Sequence, residues 1–146
     1  MKIIIDADAC PVKHCVIELA FQKKVPVLMV CSVSHQLPEY PNVVIKQVDN
    51  YPQAADVAIV NKVQPGDIVV TSDGGLAAIV LSRQAHALSF HGKEYHPDEI
   101  DAVLNERHLT WKFRRSGGKT RGPKPFTHKD EERFISTLTR MMGYLI

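Results

Sequence analysis

The stretch KIIIDADACPVK, residues 2–13, decides the fold. Ile3-Ile4-Ile5 is an unbroken apolar run that stops at Asp6, the pattern of a parallel strand buried on both faces whose carboxyl end meets water. Pro11 suits the first turn of a helix. Beyond it Val12, Cys15, Val16, Leu19 and Ala20 recur at three- and four-residue steps, which predicts an amphipathic helix over 12–24.

The same alternation continues outward. Apolar runs predict strands at 26–31, 43–48, 67–71 and 86–90, and helical spacing predicts helices at 53–62, 76–84 and 97–107. A loop with two prolines fills 32–42. Strands that alternate with helices imply a mainly parallel, five-stranded sheet covered on both faces, a three-layer α/β/α sandwich. Past Arg107 the order changes. The run SGGKTRGPKP, residues 116–125, is too rich in Gly and Pro for regular structure, and a last amphipathic helix follows at 127–142. Thr127 is placed to cap that helix, and Phe134, Leu138, Met141 and Met142 to dock it.

A chain of 146 residues fits one domain, and 45% apolar residues supply a core. No apolar run approaches the roughly 18 residues of a membrane helix. Met1-Lys2 leads directly into the first strand without a secretory leader, so the expected location is the cytoplasm. Cys10, Cys15 and Cys31 read as free thiols that pack as small hydrophobes. The seven histidines form no pair at metal-ligand spacing, and the absence of a Gly-x-Ser-x-Gly elbow leaves serine hydrolysis unsupported.

In parallel α/β sheets ligands bind beyond the carboxyl ends of the strands, where strand order reverses. Asp6 and Asp8 follow the first strand and Asp73 follows the fourth, neighbours in the usual order 3-2-1-4-5. Asp56, on the intervening helix, adds a fourth carboxylate. Each has a plain structural explanation when taken singly: a helix cap, turn chemistry, a solvated acid. Together they would repel one another, which a hard divalent ion, Mg²⁺ or Mn²⁺, relieves. The expected metal set is therefore Asp6, Asp8, Asp56 and Asp73, with Asp6, Asp8 and Asp73 catalytic. Thr71 and Ser72 offer hydroxyls to water or phosphate, and Gly74-Gly75 leave room for a close approach.

Three segments carry a family resemblance: MKIIIDADACPVK at the start, ADVAIVNKVQPGDIVVTSDGGLAA in the middle and GPKPFTHKDEERF near the end. Together they resemble the YaiI/YqxD family of bacterial proteins, grouped with the PIN-like nuclease fold, over essentially the whole chain. The resemblance implies a Mg²⁺-dependent phosphodiesterase site in which Asp6, Asp8, Asp56 and Asp73 match the acidic motif positions. The chain departs from many relatives at Gly74-Gly75, where they carry a bulky residue and a proline.

Charge is split along the chain. Residues 1–106 hold 8 Lys/Arg against 13 Asp/Glu, whereas residues 107–146 hold 10 against 3. Arg114, Arg115, Lys119, Arg121 and Lys124 lie close to Trp111 and Phe113. Cations beside aromatics suit single-stranded nucleic acid, phosphates on the cations and bases on the rings. With Lys13, these five are the expected substrate-binding cations. The leading expectation is a metal-dependent nuclease that acts on RNA in preference to DNA. Two other classes compete: a haloacid-dehalogenase-like phosphatase with Asp6 as nucleophile, and a noncatalytic RNA-binding or regulatory protein that keeps the fold.

Overall fold

A computed structural model of the chain describes residues 1–32, 40–51, 53–99 and 125–145. The elements in chain order are β1 (Ile3–Asp6), α1 (Lys13–Gln22), β2 (Val27–Cys31), β3 (Val43–Gln47), α2 (Ala54–Lys62), β4 (Ile68–Val70), α3 (Gly74–Ser82), β5 (His86–Leu88), β6 (Glu94–Tyr95) and α4 (His128–Leu145). They form one sheet in the order β3-β2-β1-β4-β5-β6. Every pairing from β3 to β5 is parallel, and β6 alone runs antiparallel, to β5. The α/β sandwich is as expected.

Each face of the sheet carries its own core. Ile3, Ile5, Met29, Val70 and Leu88 point to one side, against Val16 and Ile17 of α1 and Phe134, Leu138, Met141 and Met142 of α4. Ile4, Val30, Val69 and Ala87 point to the other, against Ile59 of α2 and Leu76, Ala77 and Val80 of α3. Successive strand residues face opposite sides, so an all-apolar strand is what a sheet with two covered faces requires.

Three local differences from the sequence reading have physical causes. The sheet has six strands rather than five, because Gly92 turns the chain back after β5. Ser89 and Lys93 close that turn through Ser89 N–H to Lys93 O at 2.8 Å, and β6 follows. Helix α3 starts at Gly74, not Leu76: the Asp73 carboxylate caps it, accepting from Gly75 N–H at 2.9 Å and Leu76 N–H at 3.3 Å. That cap outweighs the poor helix propensity of two glycines. Asp67, expected to begin a strand, instead lies just outside β4 and is buried. It takes Lys2 Nζ at 2.7 Å and the N–H groups of Lys2 and Gln64, which fastens the amino ends of β1 and β4 together.

Helix α4 begins as expected. Thr127 Oγ1 accepts from Asp130 N–H while Asp130 Oδ2 accepts from Thr127 N–H, a reciprocal capping box. Its docking uses two polar ties as well: Cys15 Sγ donates to Glu131 at 3.4 Å, and buried Thr137 donates to Gly92 O at 2.8 Å. Of the helix expected at 97–107, residues 97–99 form a turn and the rest, from residue 100 onward, lies outside the described residues, as do residues 107–124 of the basic segment at 107–126.

Gly92 has φ +88°, and a Cβ there would sit 2.7 Å from the backbone of Arg133 and Phe134. Gly92→Ala should therefore lose stability in urea by more than the roughly 1–3 kcal/mol that a left-handed backbone alone costs a non-glycine residue. Gly143→Ala, in open space on α4, should instead be neutral or gain up to about 1 kcal/mol.

Candidate functional site

β1 has β2 on one side and β4 on the other; α1 carries the chain from β1 to β2 and α2 carries it from β3 across to β4, and the two helices pack on opposite faces of the sheet. Beyond its carboxyl end the connections diverge and leave a cleft, the switch point of an open α/β sheet. The sequence-predicted carboxylates are at this edge. Asp6 is the last residue of β1 and half-buried. Asp8 follows it on the connection toward α1 and is exposed. Asp73 leads out of β4 as the cap of α3, and Asp56 comes from the first turn of α2.

A short chain of hydrogen bonds orders two of them. Asp73 N–H donates to Thr71 Oγ1 at 3.1 Å, and Thr71 Oγ1 donates to Asp6 Oδ2 at 2.9 Å. Thr71 is wholly buried, so its hydroxyl orients Asp6 from beneath the surface. Ser72 accepts from Phe90 N–H at 3.2 Å and sits at the exposed rim. Asp8 is held from β2: both of its oxygens accept from Ser32 N–H, at 2.9 and 3.0 Å, and Oδ2 also takes the Ser32 hydroxyl.

The carboxyl of Asp6 is pushed above its ordinary value of 3.8. Burial is the largest cause. The Thr71 hydroxyl opposes it, and the neighbouring charges of Asp73 and Asp8 add to it. Lys13, at the start of α1, lies beside this acidic edge and stabilises the thiolate forms of Cys10 and Cys31. Burial still dominates at Cys10, whose thiol is pushed up to about 12, so it is no nucleophile.

Two adjoining hollows join Asp8, Asp56 and Asp73, while Asp6 lines neither. One, of about 430 Å³, lies between α2 and α3 and has Asp56 and Asp73 at its edge. The other, of about 370 Å³, is lined by Asp8, Ser32, Asn50 and Tyr51. Gln53 and Asp56 border both, so Asp56 stands between the two halves of one groove. Gln53 precedes α2 with φ 69°, a left-handed conformation that costs a non-glycine residue energy and clusters at functional sites. Among the described residues no group of three or more His, Cys, Asp or Glu is drawn together tightly enough to hold a metal ion. Arg114, Arg115, Lys119, Arg121 and Lys124 lie outside the described residues.

Ser32, Gln53, Asn50 and Tyr51 were missed by the sequence reading. Ser32 was within reach of it: Asp6 is level with Val30 in the β1–β2 register, so Asp8 and Ser32, each two residues on, emerge side by side. Gln53 carries no sequence signal, since its significance is its backbone conformation.

The fold and this edge define the class: an open α/β sheet with a carboxylate-lined cleft at its switch point. The chain belongs to the YaiI/YqxD family, for the family model described as "Uncharacterized BCR, YaiI/YqxD family" matches residues 4–143. A UPF0178 protein of Clostridium tetani is 43% identical over 98% of this chain and 97% of its own length. One from Enterococcus faecalis is 42% identical over 97% of each, and one from Bacillus cereus is 42% identical over 98% and 99%. No solved structure matches. Among the described residues no helix is long and apolar enough to cross a membrane.

Because folding raises the Asp6 pKa above 3.8, the native state holds that proton more tightly than the unfolded chain. Its stabilising effect is complete below 3.8 and is lost as pH rises through the folded pKa. Asp6→Asn, which keeps an acceptor for Thr71, should raise the melting temperature of metal-free protein at neutral pH. The gain should fade as pH falls toward 3.8, a course that thermal denaturation across that range would follow.

Proposed function

We propose that this chain is a divalent-metal-dependent nuclease that hydrolyses phosphodiester bonds, RNA in preference to DNA. The observation that carries the reading is Asp6: a half-buried carboxylate hydrogen-bonded from below by Thr71 and raised in pKa by burial and by Asp73 and Asp8. Such a group is costly in a fold unless something offsets its charge, and carboxylates are the ligand type a hard cation takes, here, among the described residues, as a pair rather than a closed set of three.

Mg²⁺ commonly takes only one or two protein carboxylates and fills its remaining positions with water and substrate phosphate. In that mode Asp6 with Asp73 or Asp8, the two charges that act on it, would hold the ion, and Asp56 would act across the groove. When bound, the metal would supply an activated water and offset charge on the phosphate. The chain's own residues do the rest. Thr71 fixes the rotamer of Asp6, Ser32 fixes Asp8, and the α3 cap fixes Asp73, so the carboxylates are preorganised. Ser72, at the rim, would meet a phosphate oxygen. Lys13 would lower the electrostatic cost of bringing a polyanion to an acidic edge, and Arg114, Arg115, Lys119, Arg121 and Lys124 would bind backbone phosphates. A cytoplasmic location suits an RNA substrate.

Labelled single-stranded RNA and DNA incubated with Mg²⁺ or Mn²⁺ should be cut by the wild type, RNA faster, and left whole by the Asp6→Asn/Asp73→Asn double variant. Equal cutting by both proteins, or none by either, would sink the reading. RNA affinity that survives the double variant in a chain that never cuts would make it a noncatalytic binder, and a trapped aspartyl-phosphate at Asp6 would make it a phosphatase. Ser32→Ala and Thr71→Val remove only supporting hydrogen bonds and should each reduce metal affinity or rate by about 10- to 100-fold.

A further inference from the structure

The cleft between α2 and α3 is built differently from the rest of the edge. Val57 and Val60 line it from α2, and Leu76 and Ile79 from α3. Residues three apart share one face of a helix, so each helix offers an aliphatic wall to the other. Val57 and Ile79 remain 53% and 44% exposed, so each wall keeps an aliphatic side chain open to solvent. Asp56 and Asp73 stand at the end nearest the strand termini, and Asn61 lines the opposite end. At 1.5 Å per helical residue, Asn61 is about 7.5 Å farther along α2 than Asp56.

We propose that this cleft is a slot for one unpaired nucleobase of the strand being cut, flanked by the aliphatic walls and read at its edge by the Asn61 amide. The choice of a base as occupant rests on the nuclease reading, since whatever enters past Asp56 and Asp73 is joined to the phosphate those residues serve. Three features of the cleft fit that occupant. Its walls are apolar, as the two faces of a base are. Its far end carries a side chain that both donates and accepts, as a base edge does. Its volume of about 430 Å³ lies in the range of small-ligand sites. A base in a duplex keeps its faces stacked and its edge paired, so the slot selects single strands.

The test titrates adenosine, guanosine, cytidine and uridine into the full chain and follows the methyl signals of Val57, Val60, Leu76 and Ile79 by NMR. Nucleosides carry no phosphate, so the readout needs neither metal nor cleavage. At least one nucleoside should shift all four residues, with ribose leaving them unmoved. Val57→Phe, which fills the cleft from an exposed position, should lose the shifts, and Ile79→Phe should do so from the opposite wall if the first variant does not fold. Asn61→Leu should change the order of preference among the four bases; an unchanged order overturns the role of Asn61. The slot itself is overturned if no nucleoside moves these methyls. It is overturned equally if ribose or cyclohexanol moves them as much, or if the filled variants bind like wild type. Failure of the nuclease reading is visible separately: RNA left whole with Mg²⁺ or Mn²⁺ refutes cleavage, whatever the nucleosides do.

Discussion

The constraint on which the structure depends is the position of β1. Ile3, Ile4 and Ile5 have no solvent contact, and parallel neighbours bond to the strand on both sides. A strand so enclosed must send alternate side chains into two separate cores, so helices are needed on both faces. Crossovers of one hand then carry the chain to opposite faces on either side of β1. The amino end of the strand is sealed by the Lys2–Asp67 pair. Polar chemistry has only the carboxyl end left to it, and Asp6 stands there.

At that edge the same carboxylates serve the fold and the proposed site. Asp73 starts α3 while pressing its charge on Asp6, and Asp8 takes the exposed end of β2 through Ser32. Asp6 is the exception. Thr71 supports it, but burial and like charge oppose its ionised form. An arrangement in which two acids are fully used by local structure and a third is left under electrostatic stress is the pattern expected of a site rather than of a scaffold alone.

Much of this was legible in the residues because buried parallel strands leave a coarse signal. Continuous apolar runs such as Ile3–Ile5 and Ile68–Val70 cannot sit half in water, and their alternation with helical spacing leaves few topologies. The aspartates were legible for the same reason: an acid directly after such a run lies at the sheet edge. What escaped was set by single contacts. The strand Glu94–Tyr95 is two residues long and depends on the turn at Gly92. The first turn of α3 depends on one carboxylate outweighing two glycines. Asp67 resembles the other strand-edge acids in composition, yet it belongs to the opposite end of the sheet, because it precedes its strand instead of following it. The α2–α3 hollow is a property of two helices side by side, and neither helix announces it alone.

The core beneath α4 has a consequence for how the chain comes into being. Phe134, Leu138, Met141 and Met142 are almost wholly buried against side chains that begin at Ile3, so contacts in this layer join residues more than a hundred positions apart. During synthesis from the amino terminus, the face that carries α1 can gain strands and partners while α4 is still missing. Among the described residues, the opposite core draws on none beyond Tyr95. The α4 side of the sheet therefore cannot close until α4 has left the ribosome, and until then the nascent chain carries that side only partly roofed, by α1. Chaperones that recognise exposed aliphatic surface would meet the protein in that interval, on the side away from the cleft.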